Sequence, residues 1–482
     1  MNEEQAGSKQ PFGFRDFARD VLVYSSGNAF LIVSGTILVF IIPKYLSVQE
    51  YGYWQLFMLY SAYVGILHLG FINGIHVRWA GKELNEVGNE IRKAFAFLVL
   101  ELVFVITPIT LFLYFVLDSP LQWIGFMVVL FGFVVCLLSF FTFTGLATRR
   151  FWLLSMVNMG RGLIFLAVVV LLIGFDHLDY RILILAYLGS LSAILSAVVL
   201  WFGRYLRGGI SSISSLCSYG RQNIKIGIFI LFGNFIIVFF LTIDRIMADS
   251  FFSLEEFAVY AFAIMVATLI YNFVRVVNEV FFPHLSALAI ESQRRAFHLA
   301  KPALVLCWAA FLTLYFPATA LVQFYLPQYV DSLEIMQVLF CTVGFGSIIQ
   351  ILHVSYYLAH RKQRSYFTWG LVALALAFGL NLLAILIWDT LHSLAIATLI
   401  SFIAWYTINE VSLRSVVRQT NKQIMKGLAI IGAYLTAYVI AYSLVDWYVA
   451  QTLVYFGMFL LISWILLRSE ARELATTLIR RW

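Results

Sequence analysis

Six ionisable side chains stand out within the apolar stretches of this sequence: Glu101, Arg161, Asp244, Arg245, Arg275 and Glu279. A charge near the centre of a bilayer costs about 2.5–3.5 kcal/mol on insertion scales, so each needs a partner or a task. Arg161 stands about ten residues into its apolar run, inside the small and polar sequence Asn-Met-Gly-Arg-Gly at 158–162. Its guanidinium never loses its charge and offers a fork that can hold a diphosphate bidentately. The competing assignment is an ion pair with Glu101. Arg275 and Glu279 are four apart, hence on one helix face, and either bind each other or frame an anionic headgroup, with Asn272 and Asn278 adding polarity. Asp244 and Arg245 are adjacent, so on a helix they point about 100° apart and need not satisfy one another. Three acids against three arginines can also pair off completely, which would leave no cation for a ligand.

Weaker candidates surround these. Asn28 and Asn234 each follow a glycine and either line a cavity or hydrogen-bond neighbouring helices. Arg78 lies at the inner end of its apolar run, where it can meet an anionic group. Arg161, Arg275, Arg78, Asn28 and Asn234 are therefore the candidate substrate-binding residues, and Glu101, Asp244, Arg245 and Glu279 the candidate coupling or gating residues. Gly70 and Gly74 are spaced for a close helix crossing, and His68 and His353 read as lone hydrogen-bonded histidines. Cys136, Cys217, Cys307 and Cys341 are scattered, without a Cys-x-x-Cys pair or a histidine at ligand spacing. No catalytic constellation, metal site or cofactor is expected, and the chain reads as a non-enzyme.

The elements that must position these residues are membrane helices. Of 482 residues 62% are hydrophobic and only 12% charged, with a mean hydropathy of +0.91, where soluble domains carry roughly a quarter charged residues. The apolar run after the charged first twenty residues is too long for a signal-peptide core. Runs of membrane-spanning length lie near 21–42, 52–76, 94–117, 121–146, 151–174, 180–203, 224–248, 257–281, 302–326, 333–358, 366–388, 391–413, 424–446 and 449–468, which makes fourteen. Alternate connections test that count. One side carries 27 of the 32 Lys and Arg and the other only Lys44 and Arg181, an asymmetry that places both termini in the cytoplasm. The net charge of +7 thus belongs to a membrane surface and not to nucleic acid. The outer connections are short and acidic, no Gly-x-x-x-x-Gly-Lys phosphate loop occurs, and ATP hydrolysis by the chain itself is excluded.

The chain is also duplicated. Leu46–Trp79 returns in degraded form as Phe252–Leu285, an offset of 206, with Gly27-Asn28 matching Gly233-Asn234 and Ser47-x-x-Glu50 matching Ser253-x-x-Glu256. That offset spans six helices, an even number, so the repeats are parallel. The expected fold is an all-α polytopic membrane protein of fourteen helices, two parallel six-helix lobes plus two. Its divisions are a cytoplasmic N-terminus (1–20), an N-lobe (21–203), a linker (204–223), a C-lobe (224–413), two further helices (414–468) and a cytoplasmic tail (469–482).

Four stretches, Leu46–Phe57 (LSVQEYGYWQLF), Leu69–Ala80 (LGFINGIHVRWA), Asp244–Ala261 (DRIMADSFFSLEEFAVYA) and Phe281–Glu291 (FFPHLSALAIE), resemble the Wzx-type polysaccharide-biosynthesis flippases of the multidrug/oligosaccharidyl-lipid/polysaccharide exporter superfamily. The first, second, seventh and eighth expected helices and the connections to which they belong make up roughly a quarter of the chain, and the match departs from the family at Ala258, where glycine is frequent. The resemblance implies a MATE-like fold in the bacterial cytoplasmic membrane and translocation of an undecaprenyl-diphosphate-linked oligosaccharide, an O-antigen or exopolysaccharide unit, by alternating access. The partners expected with it are that glycolipid, membrane lipid, a candidate coupling ion (H+ or Na+) and a polysaccharide polymerase. The last two helices are expected to line a groove for the polyprenyl tail. An ion-coupled exporter of drugs or metabolites on the same fold is the alternative, and the arginines within the apolar runs weigh against it.

Overall fold

The computed structural model describes residues 14–209, 212–445 and 447–466; the side chains of 14–25, 270, 272–273, 275–280, 282–284, 287 and 466 lie outside that description. The described chain is helical throughout, without a strand. Its first half runs α1 (Phe14–Tyr45), α2 (Val48–Ser61), a 3-10 turn (Val64–His68), α3 (Phe71–Trp79), α4 (Leu84–Val116), α5 (Leu121–Ala147), α6 (Phe151–Gly174) and α7 (Tyr180–Leu206). The second half continues with α8 (Ile213–Phe240), α9 (Ile243–Phe251), α10 (Leu254–Ala287), α11 (Ile290–Leu312), α12 (Tyr315–Tyr325), α13 (Ser332–Ile348), a π-helical turn (Ile349–His353) and α14 (Val354–Ala359). Last come α15 (Gln363–Trp388), α16 (Leu391–Val417), α17 (Asn421–Leu444) and α18 (Tyr448–Leu466).

Among the described residues twelve helices or helix pairs are long and apolar enough to cross a membrane, and α2 with α3, bent by 60° across their break, makes a thirteenth. The eighth expected span coincides with α10, much of whose side-chain detail lies outside the description. The protein is a multi-pass, all-α membrane protein, with α17 and α18 following the two repeats.

The matched Ser-x-x-Glu sequences form the same local structure twice. Ser47 N and Oγ donate to Glu50 Oε2 at 3.0 and 2.8 Å while Glu50 N donates back to Ser47 Oγ at 3.2 Å. Ser253 and Glu256 repeat this at 2.9, 2.7 and 3.3 Å. These reciprocal capping boxes satisfy amides left open at the starts of α2 and α10. Upstream, Thr36 and Thr242 each donate to the carbonyl four residues back, Ile32 and Val238. The repeats differ in where they break. The first helix of the first repeat is continuous and the second is interrupted at Leu69 and Gly70, both at positive φ. In the second repeat the break falls at Leu241-Thr242, between α8 and α9, and α10 runs through.

The helices cluster into two compact units, each of which takes a segment from the other half of the chain. Unit 1 is the chain up to Leu38 with Tyr60–Phe232; unit 2 is Val39–Leu59 with the chain from Gly233 onward. Each unit keeps its borrowed segment by close packing. In unit 2, Tyr51 meets the rings of Phe262 and Tyr329 at 6.3 and 5.4 Å. There too Lys44 Nζ donates to Tyr325 O at 2.8 Å and Gln328 Nε2 to Pro43 O at 2.9 Å. In unit 1, α8 crosses α3 with their backbones in contact. A Cβ on Gly74 would lie 2.0 Å from Asn223 O, and one on Gly227 would lie 1.9 Å from Gly70 O. The Gly70/Gly74 spacing therefore serves the crossing it predicts, and only glycine admits so near an approach.

Candidate functional site

In unit 1 a polar strip runs along the packed faces of α1 and α6. Gly27 lets the two helices approach, since a Cβ there would lie 2.4 Å from Ser155 O. Asn28, 1% exposed, accepts a hydrogen bond of 2.8 Å from Asn158 Nδ2. Asn28 thus takes the helix-bonding role of the two its sequence left open. Arg161 lies three residues beyond Asn158, one turn along α6. It is half-buried, and its guanidinium has neither a hydrogen bond nor an ion pair among the described residues. The pairing of Arg161 with Glu101 does not form. Glu101 is 7% exposed on α4, and neither carboxylate oxygen has a hydrogen-bond partner among the described residues.

Arg78 is placed differently from Arg161. Its Nε lies 3.6 Å from Glu90 Oε2 and its guanidinium 4.9 Å over the Tyr219 ring, while Trp79 Nε1 and Tyr219 OH donate to the same carboxylate oxygen at 3.1 and 3.0 Å. With its side chain about a third exposed, Arg78 is partnered and still open on one side.

In unit 2 the polar centre is Asp244, 4% exposed at the start of α9. Its Oδ1 accepts from Arg245 N at 2.8 Å, and its Oδ2 from Tyr260 OH at 3.0 Å. Thr398 Oγ1 stands 3.5 Å from Asp244 Oδ2 and 3.4 Å from Asn381 Oδ1. Three elements, α9, α10 and α16, thus converge on one buried carboxylate, with α15 joined through Thr398, and the Asn381 amide nitrogen there has no hydrogen-bond partner among the described residues. A carboxylate, a carboxamide oxygen and two hydroxyls are the oxygen donors that suit a small cation or a proton. Asn234, the repeat-mate of Asn28, is exposed on α8 and has no hydrogen bond among the described residues. The Arg275 and Glu279 side chains, and those of Asn272 and Asn278, lie outside the described residues.

Sequence reasoning missed a second buried polar centre in unit 2, built from Lys301, His353 and Glu410. Glu410 does stand inside the 391–413 run, but so near the end of it that it reads as interfacial. Lys301 falls one residue before its run, and His353 has no sequence neighbour to suggest a partner. Asn381 and Thr398 were missed because neutral polar residues are common in membrane helices.

The fold and these partially satisfied polar centres define the class: a helical membrane protein sharing its architecture with the lipid II flippase MurJ. A structure of MurJ in its inward closed conformation superposes with a TM-score of 0.63 at 12% identity, covering 93% of this chain and 99% of that one. The MATE transporter VcmN of Vibrio cholerae scores 0.45 at 12% identity, covering 84% and 98%. No family profile and no curated protein matches the sequence.

Proposed function

We propose that this protein is a flippase of the bacterial cytoplasmic membrane, with both termini inside. It moves an undecaprenyl-diphosphate-linked oligosaccharide, an O-antigen or exopolysaccharide unit, to the outer leaflet by alternating access. The observation that carries this reading is Arg161. An arginine in a membrane helix without an acidic partner is costly, and a diphosphate is the ligand whose paired oxygens its fork fits. Asn158 supplies neutral donors one turn away. Arg275 is the second cation assigned to the diphosphate, Arg78 assists its capture at the inner face, and Asn234 faces the sugar. MurJ, whose architecture this chain shares, acts on lipid II, itself a lipid-linked substrate.

Asp244 supports a coupled variant of the same reading, in which H+ or Na+ occupies its oxygen cluster and Glu101, Arg245 and Glu279 assist gating. An ion-coupled exporter of drugs or metabolites would use that cluster equally well but leaves Arg161 without a task. A polysaccharide polymerase is the natural recipient of the product. Arg161→Ala and Arg275→Ala, each at normal membrane abundance, should abolish surface polysaccharide, with lysine restoring only part because it lacks the bidentate fork. Full export by both alanine variants would refute the assignment.

A further inference from the structure

Lys301 on α11, His353 on the π-helical turn and Glu410 on α16 meet in the core of unit 2. Glu410 Oε2 lies 2.6 Å from Lys301 Nζ and its Oε1 lies 3.0 Å from His353 Nε2. Lys301 is 8% exposed; His353 and Glu410 are fully buried. A carboxylate that accepts from an ammonium has no proton to give. The Nε2 of His353 must therefore donate to Glu410, and in the neutral ring this leaves Nδ1 as the nitrogen without a proton. That Nδ1 has no hydrogen-bond partner among the described residues, nor does either amide atom of Asn409, fully buried beside Glu410. A single π turn within α-helix is a recurrent mark of functional sites, because it costs regular hydrogen bonding that packing must offset.

We propose that Lys301, His353 and Glu410 form a proton-binding site in unit 2, with His353 Nδ1 as the atom that takes the proton. The step is balanced and simple. A proton from water adds to Nδ1, Nε2 keeps its own proton on Glu410, and the cluster passes from zero net charge to +1. Glu410 then lies between two cations, which is attractive locally. The extra unit of charge sits in a site shielded from water, so protonation favours any conformation that hydrates it. Proton occupancy and conformational state are thereby coupled.

The surroundings can sustain this. From α11, His298 Nε2 donates to Val417 O at 3.1 Å. From α16, the Tyr406 ring stands 5.4 Å from the His353 ring and 5.7 Å from Lys301 Nζ. From α14, Tyr356 gives its hydroxyl to Gln293 O. α10 also packs on the turn, with Tyr271 described and the side chains of Arg275 and Glu279 outside the description. α17 covers Lys301 with Gly427, where a Cβ would lie 3.2 Å from Nζ.

This inference rests on the transporter reading but is tested without any substrate. Purified full-length protein in nanodiscs is titrated from about pH 8 to pH 5, the range in which imidazole changes charge, and bound protons are counted. His353→Gln and Glu410→Gln should each take up about one proton fewer per chain than wild type. Uptake identical to wild type in both folded variants overturns the proposal and leaves the flippase reading untouched. Should either variant fail to fold, 15N-histidine spectra of the otherwise native chain in a His68→Gln background replace the count. A buried ring whose Nδ1 signal moves to the protonated position over that range supports the site, and a buried ring that stays fixed overturns it.

Discussion

Arg161, Glu101 and Asp244 show how differently three ionisable groups within apolar helices can be provided for. Asp244 accepts from three groups, while among the described residues Glu101 has no hydrogen-bond partner on its carboxylate and Arg161 has no acidic partner. The sequence exposes all three, since a charge in an apolar run is visible without a structure. It does not expose a partner such as Thr398, which reaches Asp244 from 154 residues away. Asp244→Asn tests the coupling role. The amide keeps the shape and can still accept from Tyr260, so the protein should accumulate normally while transport loses its dependence on an imposed ion gradient. Transport by the variant that still follows the gradient would remove Asp244 from coupling. Tyr260→Phe deletes one hydrogen bond to a charged group, worth about 1.5–3 kcal/mol, and should weaken ion dependence less.

At the scale of elements, composition, the capping boxes and the Gly70/Gly74 crossing were legible because each rests on residues close in sequence. The exchange of Val39–Leu59 and the α8 segment between units was not, because aromatic and backbone contacts far apart in sequence decide it. The break at Leu241-Thr242 also escapes reading, since neither glycine nor proline marks it, whereas the one after Leu69 carries Gly70. The last two helices are also built into unit 2. They follow the duplication, yet Tyr434, Tyr438 and Tyr455 are fully buried, and Tyr455 OH donates to Ala309 O on α11 at 2.6 Å. Removing α17 and α18 would therefore strip the core of unit 2. The opposite face of α18 exposes Val449, Leu453, Phe456, Leu460 and Trp464 at helical spacing. A polyprenyl tail needs such a surface, because each methylene left in water costs about 0.8 kcal/mol. Leu453→Ser with Phe456→Ser should lower affinity for the intact glycolipid several-fold and leave binding of a water-soluble sugar diphosphate unchanged. Equal effects on the two ligands would assign the face to lipid or to assembly instead.

At the scale of the molecule the 27-to-2 distribution of Lys and Arg makes a direct claim about orientation. Ser119 and Asp331 fall in connections that this distribution assigns to the outer side and Gln363 in one assigned to the inner side, and all three are exposed. In a background without the four native cysteines, Ser119→Cys and Asp331→Cys should react in intact cells with an impermeant thiol reagent, and Gln363→Cys should react only after lysis. Reaction of Gln363→Cys in intact cells would overturn the orientation.

Function asks which leaflet holds the lipid-linked oligosaccharide when the protein is absent or lacks Arg161. The most direct measurement compares the accessibility of the undecaprenyl-linked sugar to a membrane-impermeant probe in intact cells carrying wild-type protein, no protein, or Arg161→Ala at equal abundance. The account predicts outer-leaflet labelling with wild type and inner-leaflet accumulation in both other strains. Equal outer-leaflet labelling in all three would contradict it.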